Sequence, residues 1–199
     1  MVRFTRSQMA VICLILVFQG DRIYASSAPS ASQTGSHYIR PASSSGPFRE
    51  RVIVFVHGLF GDADTTWRSS SSAYWPALLL TDRLFDDSDI YVVNYHAQMF
   101  GSMTLEDIVS SINNQLIGDR VFSKHREVVF LCHSLGGIVV RRLLVRYRDF
   151  AKQVPFIYFF ATPETGSQIT RLGTALSSNP PTRILDSRLS ERVPGSARR

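Results

Sequence analysis

Four stretches of the chain are solidly apolar, without the in-out alternation of a half-exposed strand: residues 51–56, 90–94, 128–132 and 156–160. Runs of this length, rich in β-branched and aromatic residues, predict strands buried on both faces. Between them the apolar positions fall at helical spacing. Over 73–85 they are residues 74, 75, 78, 79, 80 and 84, with Pro76 suited to a first turn. Leu105, Ile108, Ile112 and Leu116 mark a second helical face, opened by Thr104 and Asp107 in the spacing of a capping box. Residues 136–148 predict a third helix. Strands that alternate with helices imply an α/β fold: a parallel sheet, helices on both faces, right-handed crossovers.

Outside this core the pattern changes. Arg3 and Arg6 precede the apolar run from Met9 to Phe18, and small residues follow at 25–28. The order predicts a signal peptide over 1–28, cleaved after Ala25, Ser27 or Ala28, and an exported chain, secreted or periplasmic. A membrane anchor is the alternative, although a spanning helix needs about 20 apolar residues. Residues 29–48 follow as a Ser-rich linker, in which His37 and Tyr38 read as solvated. The core then runs over 49–182, and past Pro180-Pro181 a basic tail of five Arg occupies 183–199.

The formal charge of +6 divides into +2 over 1–28, +3 over 183–199 and only +1 between. Basicity confined to the ends argues against a nucleic-acid partner. Of the two cysteines, Cys13 lies in the expected leader, so the mature chain keeps Cys132 alone and forms no internal disulfide. Cys132 and the scattered histidines lack metal-ligand spacing, and no metal or other cofactor is expected.

The chemistry concentrates at Cys132-His133-Ser134-Leu135-Gly136, where a strand passes straight into a helix. A serine on so tight a turn is forced into strained backbone and needs small residues two places either side, here Cys132 and Gly136. The helix start sets the Leu135 amide toward developing negative charge. Upstream, His57-Gly58-Leu59-Phe60-Gly61 follows the first strand, and a Gly-flexible loop there can present the Leu59 amide as a second oxyanion donor.

With Phe55-Val-His-Gly-Leu-Phe-Gly61, Thr66-Trp67, Tyr74-Trp75-Pro76, Phe130-Leu-Cys-His-Ser-Leu-Gly-Gly137 and Phe160-Ala-Thr-Pro-Glu-Thr-Gly-Ser167, the chain resembles the α/β-hydrolase superfamily over residues 51–180. Within it, the resemblance is to lipase-like serine esterases that include serine-active-site-containing lipid-remodelling proteins and relatives of the GPI inositol-deacylases. It implies an α/β-hydrolase fold, with Ser134 as nucleophile and the Leu59 and Leu135 amides as oxyanion hole. It also implies a small-molecule or lipid ester as substrate, with peripheral membrane contact. The chain departs from the pattern at Glu164, where relatives commonly carry His, and at Cys132, where Gly is usual.

The superfamily's acid and histidine follow the nucleophile, yet the 65 residues after Ser134 contain no histidine. His57 reads as loop-orienting, His133 as directed away from the serine, and His96 and His125 as surface residues. Glu164 and Asp186 are candidate acids without a partner histidine. The expectation is a fold incomplete at its C-terminal side, with the strand at 156–160 as an aromatic edge. Two functions follow: an ester hydrolase acting through a Ser134 acyl-enzyme, or a catalytically incomplete fragment or binding protein.

Overall fold

The computed structural model describes residues 35–39, 47–69, 73–95 and 104–164. The expected signal peptide, most of the expected linker, His96, Asp186 and the basic tail lie outside the described residues. Five strands form one sheet: β1 (His37–Ile39), β2 (Arg51–Val56), β3 (Ser88–Val93), β4 (Glu127–His133) and β5 (Phe156–Phe160). Their order is β1-β3-β2-β4-β5, parallel throughout except for β1, which runs antiparallel to β3. The helices are α1 (Trp75–Leu79), α2 (Leu105–Gly118), α3 (Val121–Lys124), α4 (Leu135–Arg146) and α5 (Arg148–Ala151).

Every residue of β2 and β3 is buried, as their unbroken apolar runs require. Val52, Val54 and Val56 pack with Ile108, Ile112, Val139 and Leu143 of α2 and α4. Ile53 and Phe55 turn to the other face, against Trp67, Trp75 and Leu79. Helices therefore cover both faces, and the core is two layers divided by the sheet. Even Arg51, 3% exposed, fits this strand, because Glu127 and Asp87 accept its guanidinium N–H groups at 2.8–3.1 Å. The Thr104–Asp107 capping box is present at the start of α2. Glu106 in its first turn receives Arg142 and Arg146 of α4, fastening the two helices side by side.

The structure corrects three expectations. The linker is not wholly tether, since residues 37–39 extend the sheet and Tyr38 stacks edge-on against Tyr91 and Phe48. Three residues are too few for a periodicity, and the edge of β3 organises them. The helix expected over 73–85 is broken: α1 stops at Leu79, and the 3-10 turn Arg83–Phe85 starts afresh where Asp82 accepts the Leu84 N–H at 2.9 Å.

The third correction concerns His125, which is buried rather than on the surface. Its Nδ1 faces the Val121 carbonyl at 2.7 Å and its Nε2 faces Asp89 Oδ2 at 3.0 Å. That carboxylate also accepts the Arg49 amide, so the pair ties the start of β3 to the chain entering β2 and β4. His125→Ala would remove the buried ring together with its contact to the Asp89 carboxylate and is expected to cost about 3 kcal/mol in urea unfolding. Asp89→Asn/His125→Ala together should cost less than the sum of the single changes.

Candidate active site

Ser134 occupies the turn between β4 and α4 with φ 50° and ψ −120°, a conformation L residues avoid at a cost of about 1–3 kcal/mol. The neighbouring strand end holds it there. The Ser134 N–H donates to the Phe160 carbonyl at 2.8 Å, and the Ser134 carbonyl accepts from the Thr162 hydroxyl and the Gly137 amide, both at 3.1 Å.

Glycine at 136 is a steric requirement. A Cβ there would stand 2.4 Å from the Val56 carbonyl oxygen and 2.5 Å from that of His57, so only a bare Cα lets α4 approach the end of β2. At Gly137 a Cβ would strike the Thr162 side chain, and at Gly58 it would come within 2.8 Å of Ser134 Cβ. The serine turn and the loop after β2 are thus in van der Waals contact. Cys132, two residues before the serine, is fully buried; desolvation pushes its thiol pKa well up, leaving it a packing group.

The loop after β2 is fastened from several sides. His57 is fully buried, with Nδ1 2.9 Å from the Gly58 carbonyl and Nε2 accepting the Tyr95 amide at 3.3 Å. Its ring stacks on Tyr95, centroids 4.2 Å apart, and the Tyr95 hydroxyl donates to the His57 carbonyl at 2.8 Å. Burial lowers the His57 pKa below its usual 6.5, outweighing the Gly58 hydrogen bond and the field of Asp62. Burial tends to raise the Asp62 carboxyl in turn, but N–H and O–H donors from Thr65 and the Asp64 amide hold it below the usual range. Further along, Ala63 donates to Asn94 Oδ1 at 3.3 Å and accepts from the Tyr74 hydroxyl at 2.8 Å.

Leu59 follows Gly58 in the loop after β2, and Leu135 follows Ser134 at the start of α4. The Leu135 amide opens α4 and is among the N–H groups a helix leaves unpaired. Phe60, beside Leu59, adopts φ 56° and is 47% exposed. His133 is half-buried with its ring toward the edge of Trp67, and burial lowers its pKa. Trp67 belongs in turn to a buried cluster in which Phe55, Trp67, Trp75 and Phe160 pack ring against ring on one face of the sheet.

Acid and base are not brought to this site by the described residues. His57 has both ring nitrogens engaged, and His37 sits on the outermost strand, β1. His125 and Asp89 form a buried pair, but at the opposite edge. Asp89 is level with Val52 while Cys132 is level with Val56, which separates Asp89 from Ser134 by roughly six residues of strand, about 20 Å. Glu164 follows β5 and is exposed. Among the described residues no side chain hydrogen-bonds the Ser134 hydroxyl, no cluster of His, Cys, Asp and Glu has the makings of a metal site, and no helix is long and apolar enough to cross a membrane. Sequence reasoning missed Asn94 and Tyr95, which lie past the end of β3 and show no local pattern.

The sequence matches the profile of the Alpha/beta hydrolase family over residues 53–197. The chain belongs to that family. Among solved structures, the mature lipase BlEst2 of Bacillus licheniformis superposes with a TM-score of 0.50 at 20% identity, over 72% of this chain and 53% of its own. Est1E of Butyrivibrio proteoclasticus, solved with ferulic acid bound, gives 0.50 at 14% identity, over 70% and 53%. At such identities the likeness is one of fold. The chain spans about half the length of these two proteins. No curated protein matches the sequence.

Two outcomes follow from the site's packing and charge. Gly136→Ala is expected to lose about 1–3 kcal/mol of stability, since its Cβ has only backbone oxygens to displace. With His57 and His133 both held neutral by burial, the unfolded chain takes up protons before the folded one. Their stabilisation is complete above pH 6.5 and is lost as pH falls through the lowered folded values. Thermal melts should therefore decline from pH 7.5 to 5, and the His133→Asn variant should decline less.

Proposed function

We propose that this alpha/beta hydrolase cleaves carboxylic esters, lipid or small acyl, through an acyl-enzyme on Ser134. The observation that carries the reading is the strained Ser134 turn pressed against the Gly58 loop, which puts a hydroxyl beside two backbone segments able to donate N–H groups. In this reading Oγ attacks the acyl carbonyl and its proton passes to a base. The carbonyl oxygen takes up negative charge between the Leu59 and Leu135 amides. Collapse breaks the ester C–O bond, the alcohol leaves with a proton, and water then releases the acid and restores Ser134. Export through residues 1–28, and contact with a membrane surface, belong to the same proposal.

A second reading, a protein that binds esters without turning them over, is favoured by the lack of any hydrogen bond to Ser134 Oγ among the described residues. A fluorophosphonate probe separates the two. Hydrolase chemistry predicts a covalent adduct on the peptide bearing Ser134, abolished in Ser134→Ala, with ester turnover reduced at least about 10³-fold in that variant. A folded protein that retains ester binding yet neither labels nor turns over ester supports the second reading and rejects the first.

A further inference from the structure

The loop over residues 57–63 has little regular structure of its own. Its one internal backbone bond is the long Gly61 N–H to Gly58 carbonyl contact at 3.3 Å, and Phe60 is in a left-handed conformation. A loop so built depends on outside anchors to keep one shape; the Tyr74 hydroxyl holds the Ala63 carbonyl at its far end, and the two residues that leave β3 supply the rest. We propose that Tyr95, supported by Asn94, is the positioning residue of this loop, holding the Leu59 amide against Ser134 and so setting the rate of attack rather than the affinity for the ester. The inference rests on the Ser134 hydrolase reading.

Tyr95 grips His57 in three ways: amide to Nε2 at 3.3 Å, hydroxyl to carbonyl at 2.8 Å, and ring on ring at 13° between planes. The His57 carbonyl is one of the two oxygens that force residue 136 to be glycine, so its position is shared with the start of α4. One peptide further on, Gly58 touches Ser134. Any rotation of the 57–58 peptide therefore moves the Leu59 amide relative to the serine. At the loop's other end Asn94 Oδ1 accepts the Ala63 amide. Tyr95 is 6% exposed, and burial pushes its phenol pKa up, so the hydroxyl acts as a donor throughout the working pH range. A phenylalanine would fill the same core; what distinguishes tyrosine here is the hydrogen bond to the His57 carbonyl.

Tyr95→Phe removes that bond alone, and Tyr91→Phe is its control. Tyr91 is likewise buried in β3, but its hydroxyl donates to Asp119 at 2.6 Å, away from the site. Phosphonylation by a fluorophosphonate forms the Oγ–P bond, breaks P–F, and sends the hydroxyl proton to a base and fluoride to solvent. Measured against probe concentration, Tyr95→Phe should lower the limiting rate about tenfold with half-saturation unchanged, the size expected of one well-placed hydrogen bond. Tyr91→Phe should leave both unchanged. Equal rates for Tyr95→Phe and the wild type, or an equal fall in Tyr91→Phe, would overturn the proposal.

Hydrogen exchange supplies an arm independent of activity. Exchange at residues 58–61 should accelerate in Tyr95→Phe while β2 and β4 stay protected, and an unchanged loop would also overturn the proposal. If the wild type does not label, the Ser134 reading fails, and the exchange result still judges the clamp. Should Tyr95→Phe not fold, Asn94→Ala should accelerate loop exchange and Asn94→Asp, which keeps the acceptor for Ala63, should restore it; failure of that pair to differ counts against the clamp.

Discussion

The site depends on how closely the start of α4 approaches the end of β2. That approach is set by the missing Cβ at Gly136, which lets the helix backbone rest on the carbonyl oxygens of Val56 and His57. Ser134, wedged between β4 and this helix, takes the strained dihedrals the junction requires. The strain persists because the surroundings over-determine it: the Phe160 carbonyl, the Thr162 hydroxyl and the Gly137 amide fix its backbone. Parallel pairing of β2, β4 and β5 brings these groups to one edge of the sheet, so the fold's topology and the serine's geometry are a single constraint.

A division of labour follows along the strands. Their carboxyl ends carry Ser134, the loop after His57 and the Asn94–Tyr95 anchor, where backbone is strained and polar groups are directed by neighbours. Their amino ends carry buried Arg51, bound by Asp87 and Glu127, and the buried contact of His125 with Asp89. The Arg51 guanidinium has both carboxylates in place, which is what a buried charge needs to offset its desolvation. A histidine paired with an aspartate is thus not by itself a catalytic dyad: here it stands at the wrong edge, fixing strand starts.

The central sheet and the serine turn were legible in the sequence because both are local statements. A solid apolar run declares a doubly covered strand, and strand-Ser-helix with Gly136 declares a forced turn. What escaped was decided by partners distant in sequence. His37–Ile39 become a strand only because β3 offers an edge, and His125 is buried only because Asp89, far along the chain, receives it. Asp82 breaks the helix expected over 73–85 by capping a new turn. Asn94 and Tyr95 bear no motif; their importance comes from the carbonyl and amide they meet across the sheet's end.

In the proposed function, Ser134 and the amides of Leu59 and Leu135 converge on one oxygen position. The most direct measurement is a crystal structure of the protein phosphonylated at Ser134, where the phosphonyl oxygen stands in for the tetrahedral oxyanion. Convergence predicts that oxygen within about 2.7–3.1 Å of both amide nitrogens. An adduct whose oxygen points to solvent, with the Leu59 amide turned away, would contradict it.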